Sequence, residues 1–126
     1  MQYQPLLGCA PSADERAAAY HQRWLVGDDN GAYLSPADCP ALTNIDVQLS
    51  MGYLVLRAPG MLRLDIPLDV IEDDESVCSE LRLGDQRVKV VDEGNLAAAW
   101  LSNHLGCVAR LYKVHPDVQS WVAPVN

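Results

Sequence analysis

Residues 43–57 read TNIDVQLSMGYLVLR, and this stretch decides the fold class. Ile45, Val47 and Leu49 alternate with Asn44, Asp46 and Gln48, the period-two pattern of a strand with one buried face, predicted over Thr43 to Leu49. Met51-Gly52 turns the chain, and Tyr53 to Arg57 resumes the apolar run in the opposite direction. Ala58-Pro59-Gly60 then marks a second reversal into Met61 to Ile66, with Leu62, Leu64 and Ile66 on one face and Arg63 and Asp65 on the other. Pro67 ends that strand or marks a sheet edge.

The same reading extends in both directions. Upstream, Trp24-Leu25-Val26 and Tyr33-Leu34 flank Asp28-Asp29-Asn30-Gly31, whose Asn-Gly pair suits a tight hairpin turn between two short antiparallel strands. Tyr3 to Leu7 is an apolar start, and Asp14 to Tyr20 fits either a helical turn or an extended arm. Downstream, Glu72 to Glu75 is four adjacent carboxylates, expected as a solvated loop, and neither it nor Asp28 to Gly31 has the ligand spacing of a calcium loop. Val77 to Leu83 and Arg87 to Val91 form a third hairpin around Gly84-Asp85.

One helix is expected. Asn95 can cap it, Leu96, Trp100, Leu101 and Leu105 share a face, and Gly106 can take the left-handed position at its end. A last strand, Val108 to Tyr112, follows. About eight short strands with frequent turns and one helix in the C-terminal half predict a mainly β, barrel-like fold of antiparallel or mixed strands closed by the helix. The barrel domain is expected to occupy residues 1–112, with 113–126 as a C-terminal tail.

The 126 residues suffice for one core, and 49% hydrophobic against 21% charged residues is a globular balance. With no Phe, the aromatic volume of that core falls to three Trp and five Tyr. Nine Lys plus Arg against seventeen Asp plus Glu give a net charge of −8, which repels phosphate backbones and anionic membranes. Neither nucleic acid nor membrane is an expected partner, and the lack of a basic, apolar leader points to a cytoplasmic location.

Catalytic chemistry is thinly represented. Cys9, Cys39, Cys78 and Cys107 contain no C-x-x-C pair, so four reduced, mostly buried thiols are expected and no metal site. His21, His104 and His115 read as structural or solvated, and the spacing of His104 and Cys107 is what packing at a helix end produces without any catalytic dyad. There is no nucleophile elbow and no glycine-rich phosphate loop. Trp24, Trp100 and Tyr53 could line a ligand pocket, but in a chain without Phe they are first of all core.

The ordered landmarks resemble the N-terminal β-barrel domain of the MOSC family. Tyr3 to Cys9, Y-Q-P-L-L-G-C, resembles its opening strand Y-P-[VI]-K-S-C. His21 to Ser35 is similar to D-R-x-W-x-[LV]-x-D-x-x-G-x-[FY]-[LI]-[ST], followed by Cys39-Pro40-Ala41-Leu42 for its P-x-L. Leu56 to Leu68 resembles the L-x-A-P-G-x-x-x-L-x-[LI]-P-L hairpin, and Asp92 to Gly106 the late D-x-G-x-x-A-A-x-W-L-S-x-[FH]-L-G helix. The resemblance implies a second domain, the MOSC domain proper, beginning after about Pro124, whose cysteine ligates molybdenum in proteins such as the mitochondrial amidoxime-reducing component.

Where that family holds the molybdenum cofactor, the resemblance implies that the Lys and Ser of the opening strand and the Arg of D-R-x-W grip the pterin and its phosphate. Leu7, Gly8 and Gln22 occupy those positions here. At about 1.5 to 3 kcal/mol per charge-assisted hydrogen bond, losing two cations and a hydroxyl weakens anion binding by roughly three orders of magnitude. Arg23 is the nearest replacement cation, although strand alternation directs it to the opposite face. Cys9 matches the family but is not its metal ligand.

The expected function is therefore a non-catalytic binding or interaction module for a protein partner or small-molecule ligand, with no catalytic residues and no cofactor. The alternative is an accessory subunit of a split molybdenum-cofactor oxidoreductase, its MOSC domain on another chain and Trp121-Val122 of the tail docked onto it. Molybdopterin enters only in that alternative.

Overall fold

The computed structural model describes residues 1–69, 75–118 and 121–123. Among them lie seven strands in two antiparallel sheets and one α-helix. The first sheet has four strands in the order β1-β7-β6-β5: β1 is Trp24–Asp28, β5 Cys78–Leu83, β6 Gln86–Asp92 and β7 Ala109–Val114. The second is the meander β2-β3-β4, with β2 Asp46–Ser50, β3 Tyr53–Arg57 and β4 Leu64–Pro67. Helix α1, Asn95–Leu105, joins β6 to β7 and closes the half-barrel.

Alternation builds the core as the pattern of residues 43–57 predicts. Val47 and Leu49 turn inward from β2 while Asp46 and Gln48 face solvent, and Met51-Gly52 makes the turn with both residues at positive φ. Asp46 pairs with Arg57 at one end of this hairpin and Ser50 with Tyr53 at the other. Leu54, Leu56, Leu64 and Ile66 join Trp24, Val26, Leu101 and Leu111 in the main core between the sheets and the helix. The opposite face of the four-stranded sheet carries a second cluster around Leu25, Leu81, Val88, Val90 and Tyr112, against which Trp121 packs.

Several expectations are corrected. Thr43 and Asn44 belong to a 3-10 helix, Pro40–Asn44, so β2 starts at Asp46. Leu62 is 87% exposed, because the Trp100 indole N–H binds its carbonyl at 2.6 Å and holds residues 61–63 out of the ladder until β4 begins. The turn at Asn30-Gly31 forms, Asp28 Oδ1 accepting from the backbone N–H of Asn30 and Ala32. The antiparallel return is short: Asp28 N–H to Ala32 O and Leu34 N–H to Val26 O close a single bridge, Gly27↔Tyr33, while the Tyr33 N–H, facing away from β1, goes to Arg82 O on β5. On its other edge β1 pairs with β7, from Trp24↔Lys113 to Asp28↔Ala109.

Residues 14–20, open in the sequence, form a 3-10 helix at Glu15–Tyr20. The N-cap of α1 is Gly94, with Asp92 Oδ1 accepting its N–H, while Asn95 Oδ1 accepts from Arg110. The buried face of α1 is Ala97, Ala98, Trp100 and Leu101, and Leu96 is exposed. Gly106 does take the left-handed end, at φ 75°. The last strand runs past Tyr112 through Lys113 and the buried Val114, and Gln86 exchanges two hydrogen bonds with the backbone of Val122 in the tail. Glu72 to Asp74 lie outside the described residues, and Glu75 opens a 3-10 turn, Glu75–Val77.

Ser102 clasps the helix to β7, its Oγ donating to Ala109 O at 3.1 Å and accepting from Ala109 N at 3.0 Å. Ser102→Ala is expected to lower stability by about 1 kcal/mol, read as a shifted urea midpoint at unchanged slope. An unaltered midpoint would show the clasp to be energetically neutral. Among the described residues no helix is long and apolar enough to cross a membrane.

Candidate functional site

The first sheet exposes a cleft of about 740 Å³ where β6 and β7 end beside the 3-10 helix Glu15–Tyr20. Its apolar wall includes Val77, Val91, Val114 and Pro116, and its polar groups are Tyr20, Arg23, Asp69, Asp92, Glu93 and Lys113. Trp24, fully buried, organises them from below. Its indole N–H donates to Glu93 Oε2 at 2.8 Å, and Lys113 Nζ stands 5.3 Å above its ring centroid. Tyr20 stacks on it at 5.9 Å and donates its hydroxyl to Asp69 Oδ1 at 2.9 Å. Lys113 Nζ also donates to the Leu68 carbonyl, tying β7 to the end of the second sheet.

Electrostatics in the cleft follow from burial. Desolvation raises the pKa of Glu93, against the Trp24 hydrogen bond and the Lys113 charge, which favour the carboxylate. Lys113 is lowered for the same first reason, opposed by Glu93 and Asp69 and reinforced by Arg23. Asp92 is committed to a fork with Arg110, at 2.7 and 3.1 Å. Among the described residues the Arg23 guanidinium has no hydrogen-bond or ion-pair partner, so of the cations here it is the one open to an incoming group.

The family-equivalent positions meet elsewhere. Leu7, Gly8 and Gln22 line a separate open groove of about 720 Å³ with Gln4, Pro36 and Thr43. Among the described residues no charged side chain lines it. Gly8 sits at φ 92°, where a Cβ would come 3.3 Å from Pro36, and Gln22 adopts φ 56° in the left-handed region. Arg23 lines the other cleft, as alternation along the chain directs, so the groove has no cation for a pterin phosphate. The residues present do not fit the molybdenum cofactor.

The remaining candidates are engaged structurally. His21 Nδ1 accepts the Gln4 N–H at 2.9 Å, and His115 Nδ1 accepts that of Asp117 at 3.1 Å. His104 Nε2 lies 3.0 Å from Ala41 O, and the partner of Cys107 is Cys39. Among the described residues no three His, Cys, Asp or Glu side chains gather as metal ligands. Trp24 and Trp100 are buried core, and Tyr53 is 42% exposed on β3. Tyr20, Asp69, Glu93 and Lys113 carry no motif, and their meeting depends on strand pairing that no local pattern announces.

Known proteins bear on this arrangement. A family model described as the MOSC N-terminal beta barrel domain matches residues 12–107. Molybdenum cofactor sulfurase of Danio rerio is 34% identical over 101 residues, 78% of this chain and 12% of its own length. The Bos taurus protein of the same name is 30% identical over 102 residues, 79% of this chain and again 12% of its own. This chain therefore spans about an eighth of the length of these curated relatives, at 12% in each case. The solution structure of a Bordetella bronchiseptica protein superposes with a TM-score of 0.81 at 59% identity, covering 92% of this chain and 89% of that one. With the half-barrel, the helix that closes it and the matched motifs all in place, this chain belongs to the MOSC N-terminal beta barrel domain family.

Proposed function

We propose that this chain is a non-catalytic binding module that takes a small, largely apolar molecule carrying one anionic group in the cleft between Arg23 and Lys113. The observation that carries this reading is the open Arg23 guanidinium beside an apolar wall, in a cleft whose carboxylates are already engaged by Trp24, Tyr20 and Arg110. A volume of about 740 Å³ is of the size that holds a small ligand; Ser, Thr and Cys are absent from the described lining, and the one hydroxyl there, of Tyr20, is given to Asp69. The neutral groove at Leu7, Gly8 and Gln22 supports the same reading from the other side, since it offers no cation to a phosphate.

A thermal-shift panel of pterins, nucleotides and amphipathic carboxylates tests it. A true ligand at a hundredfold excess over its Kd is expected to add about 2.7 kcal/mol, and Arg23→Ala should abolish the shift without unfolding the protein. Silence across the panel would sink the small-ligand reading and favour a protein partner.

A second reading draws on the names of the relatives: a part in a molybdenum cofactor protein, acting beside the domain that handles the cofactor. Purification from native cells followed by metal analysis separates the two, a molybdenum-bearing partner supporting the accessory role and its absence removing it.

A further inference from the structure

Cys39 and Cys107 are far apart in sequence and meet where helix α1 ends. Cys39 is the residue before the 3-10 helix Pro40–Asn44, which packs against α1, and its Sγ lies 3.9 Å from the Leu105 carbonyl in the last helical turn. Left-handed Gly106 then reverses the chain and brings Cys107 back toward it. Cys107 thus follows by two residues the carbonyl that Cys39 Sγ meets, and the Cys39 thiol is among the groups that push the Cys107 pKa up. The contact between His104 Nε2 and Ala41 O, at 3.0 Å, holds the same two elements in register. Cys39 is 8% exposed while Cys107 is exposed, so one sulfur can meet an oxidant and the other is sheltered behind it.

We propose that this pair is an oxidative modification site, at which a peroxide closes a Cys39–Cys107 disulfide that clasps the segment before the 3-10 helix to the end of α1. The Cys107 thiolate attacks one peroxide oxygen, the O–O bond breaks, and a sulfenic acid forms as the departing oxygen is protonated to water. The Cys39 sulfur then attacks the sulfenic sulfur. The S–S bond forms, the S–O bond breaks, and water leaves with the Cys39 proton. Two thiols and one peroxide thus become one disulfide and two waters.

Rate should follow the thiolate fraction of Cys107, which burial, Cys39 and the carboxylates of Asp28 and Asp29 all reduce. His104, three residues back on α1, faces Ala41. Closure is therefore slow at neutral pH and accelerates as pH rises. The disulfide would also fix one wall of the neutral groove, because Pro36 and Ala37 line that groove just before Cys39.

The test is hydrogen peroxide added to the reduced full chain, followed by non-reducing peptide mapping and a melt. The expected result is a Cys39–Cys107 linked peptide in the monomer, with Tm raised by on the order of 10 °C. Cys107→Ser, at an exposed position that leaves folding intact, should give neither the link nor the shift. Linkage through Cys78, dimers bridged at Cys107, or sulfinic acid without a link would overturn the proposal, and so would a linked peptide with no rise in Tm.

Discussion

Trp24→Ala is expected to cost about 3 to 5 kcal/mol, a large part of the stability of a domain this size. The side chain is fully buried in the main core, stacked by Tyr20 and faced by Lys113. Truncation therefore opens a cavity and removes the donor of Glu93 in the same step. Trp24→Phe reduces the cavity, because it keeps one six-membered ring, while it deletes the N–H with the rest of the indole's five-membered ring. A smaller loss of about 1 to 3 kcal/mol is expected for that variant.

The pH dependence of Trp24→Phe identifies the cause. Glu93 already has its folded pKa raised by burial, so the folded state favours its protonated form and stability is lost as pH rises through that raised value. Removing the indole donor raises it further and deepens the penalty on the carboxylate. The gap between Trp24→Phe and the unaltered protein should therefore be widest at neutral pH and narrow as Glu93 is protonated on acidification. Urea midpoints across pH check this, and a gap independent of pH would mean that the indole hydrogen bond does not favour the Glu93 carboxylate over its acid.

What the sequence made legible follows from range of interaction. The hairpins Asp46–Arg57 and Cys78–Asp92 depend on alternation within one run and on turn residues between neighbours, and both formed in register. Gly106 likewise ends α1 for a local reason. The β1–β7 pairing joins Trp24 to Lys113 across most of the chain, and the return after Asn30-Gly31 keeps one bridge to β1 while its outer edge, through the Tyr33 N–H, binds Arg82 O on β5. The cleft shares this fate. Tyr20, Asp69, Glu93 and Lys113 come from four segments, each unremarkable alone. Leu7, Gly8 and Gln22 were found through family resemblance, and they do share one groove.

Gly27→Val is expected to cost about 3 kcal/mol, and the reason lies in cross-strand packing. Gly27 is the fourth of the five residues of β1, with an ordinary backbone conformation, and its missing side chain leaves room for two neighbours. A Cβ built there would lie 2.6 Å from Leu81 Cδ1 and 2.7 Å from Tyr112 Cε2, both buried in the second cluster. Valine adds two further methyls to that collision, and the β propensity it contributes is far smaller than the overpacking. Gly31 provides the contrast, since a Cβ there meets nothing within 4 Å but the residue holds φ at 76°. Gly31→Ala should cost only about 1 kcal/mol, from backbone strain. The two causes separate in combination with Leu81→Ala, which makes room beside Gly27 alone. Leu81→Ala should offset part of the Gly27→Val loss and leave the Gly31→Ala loss additive, by roughly 1 kcal/mol of coupling in a double-mutant cycle. Strict additivity of Gly27→Val with Leu81→Ala would mean that the strand moves as a whole, and that the contact with Leu81 is not what requires glycine at this position.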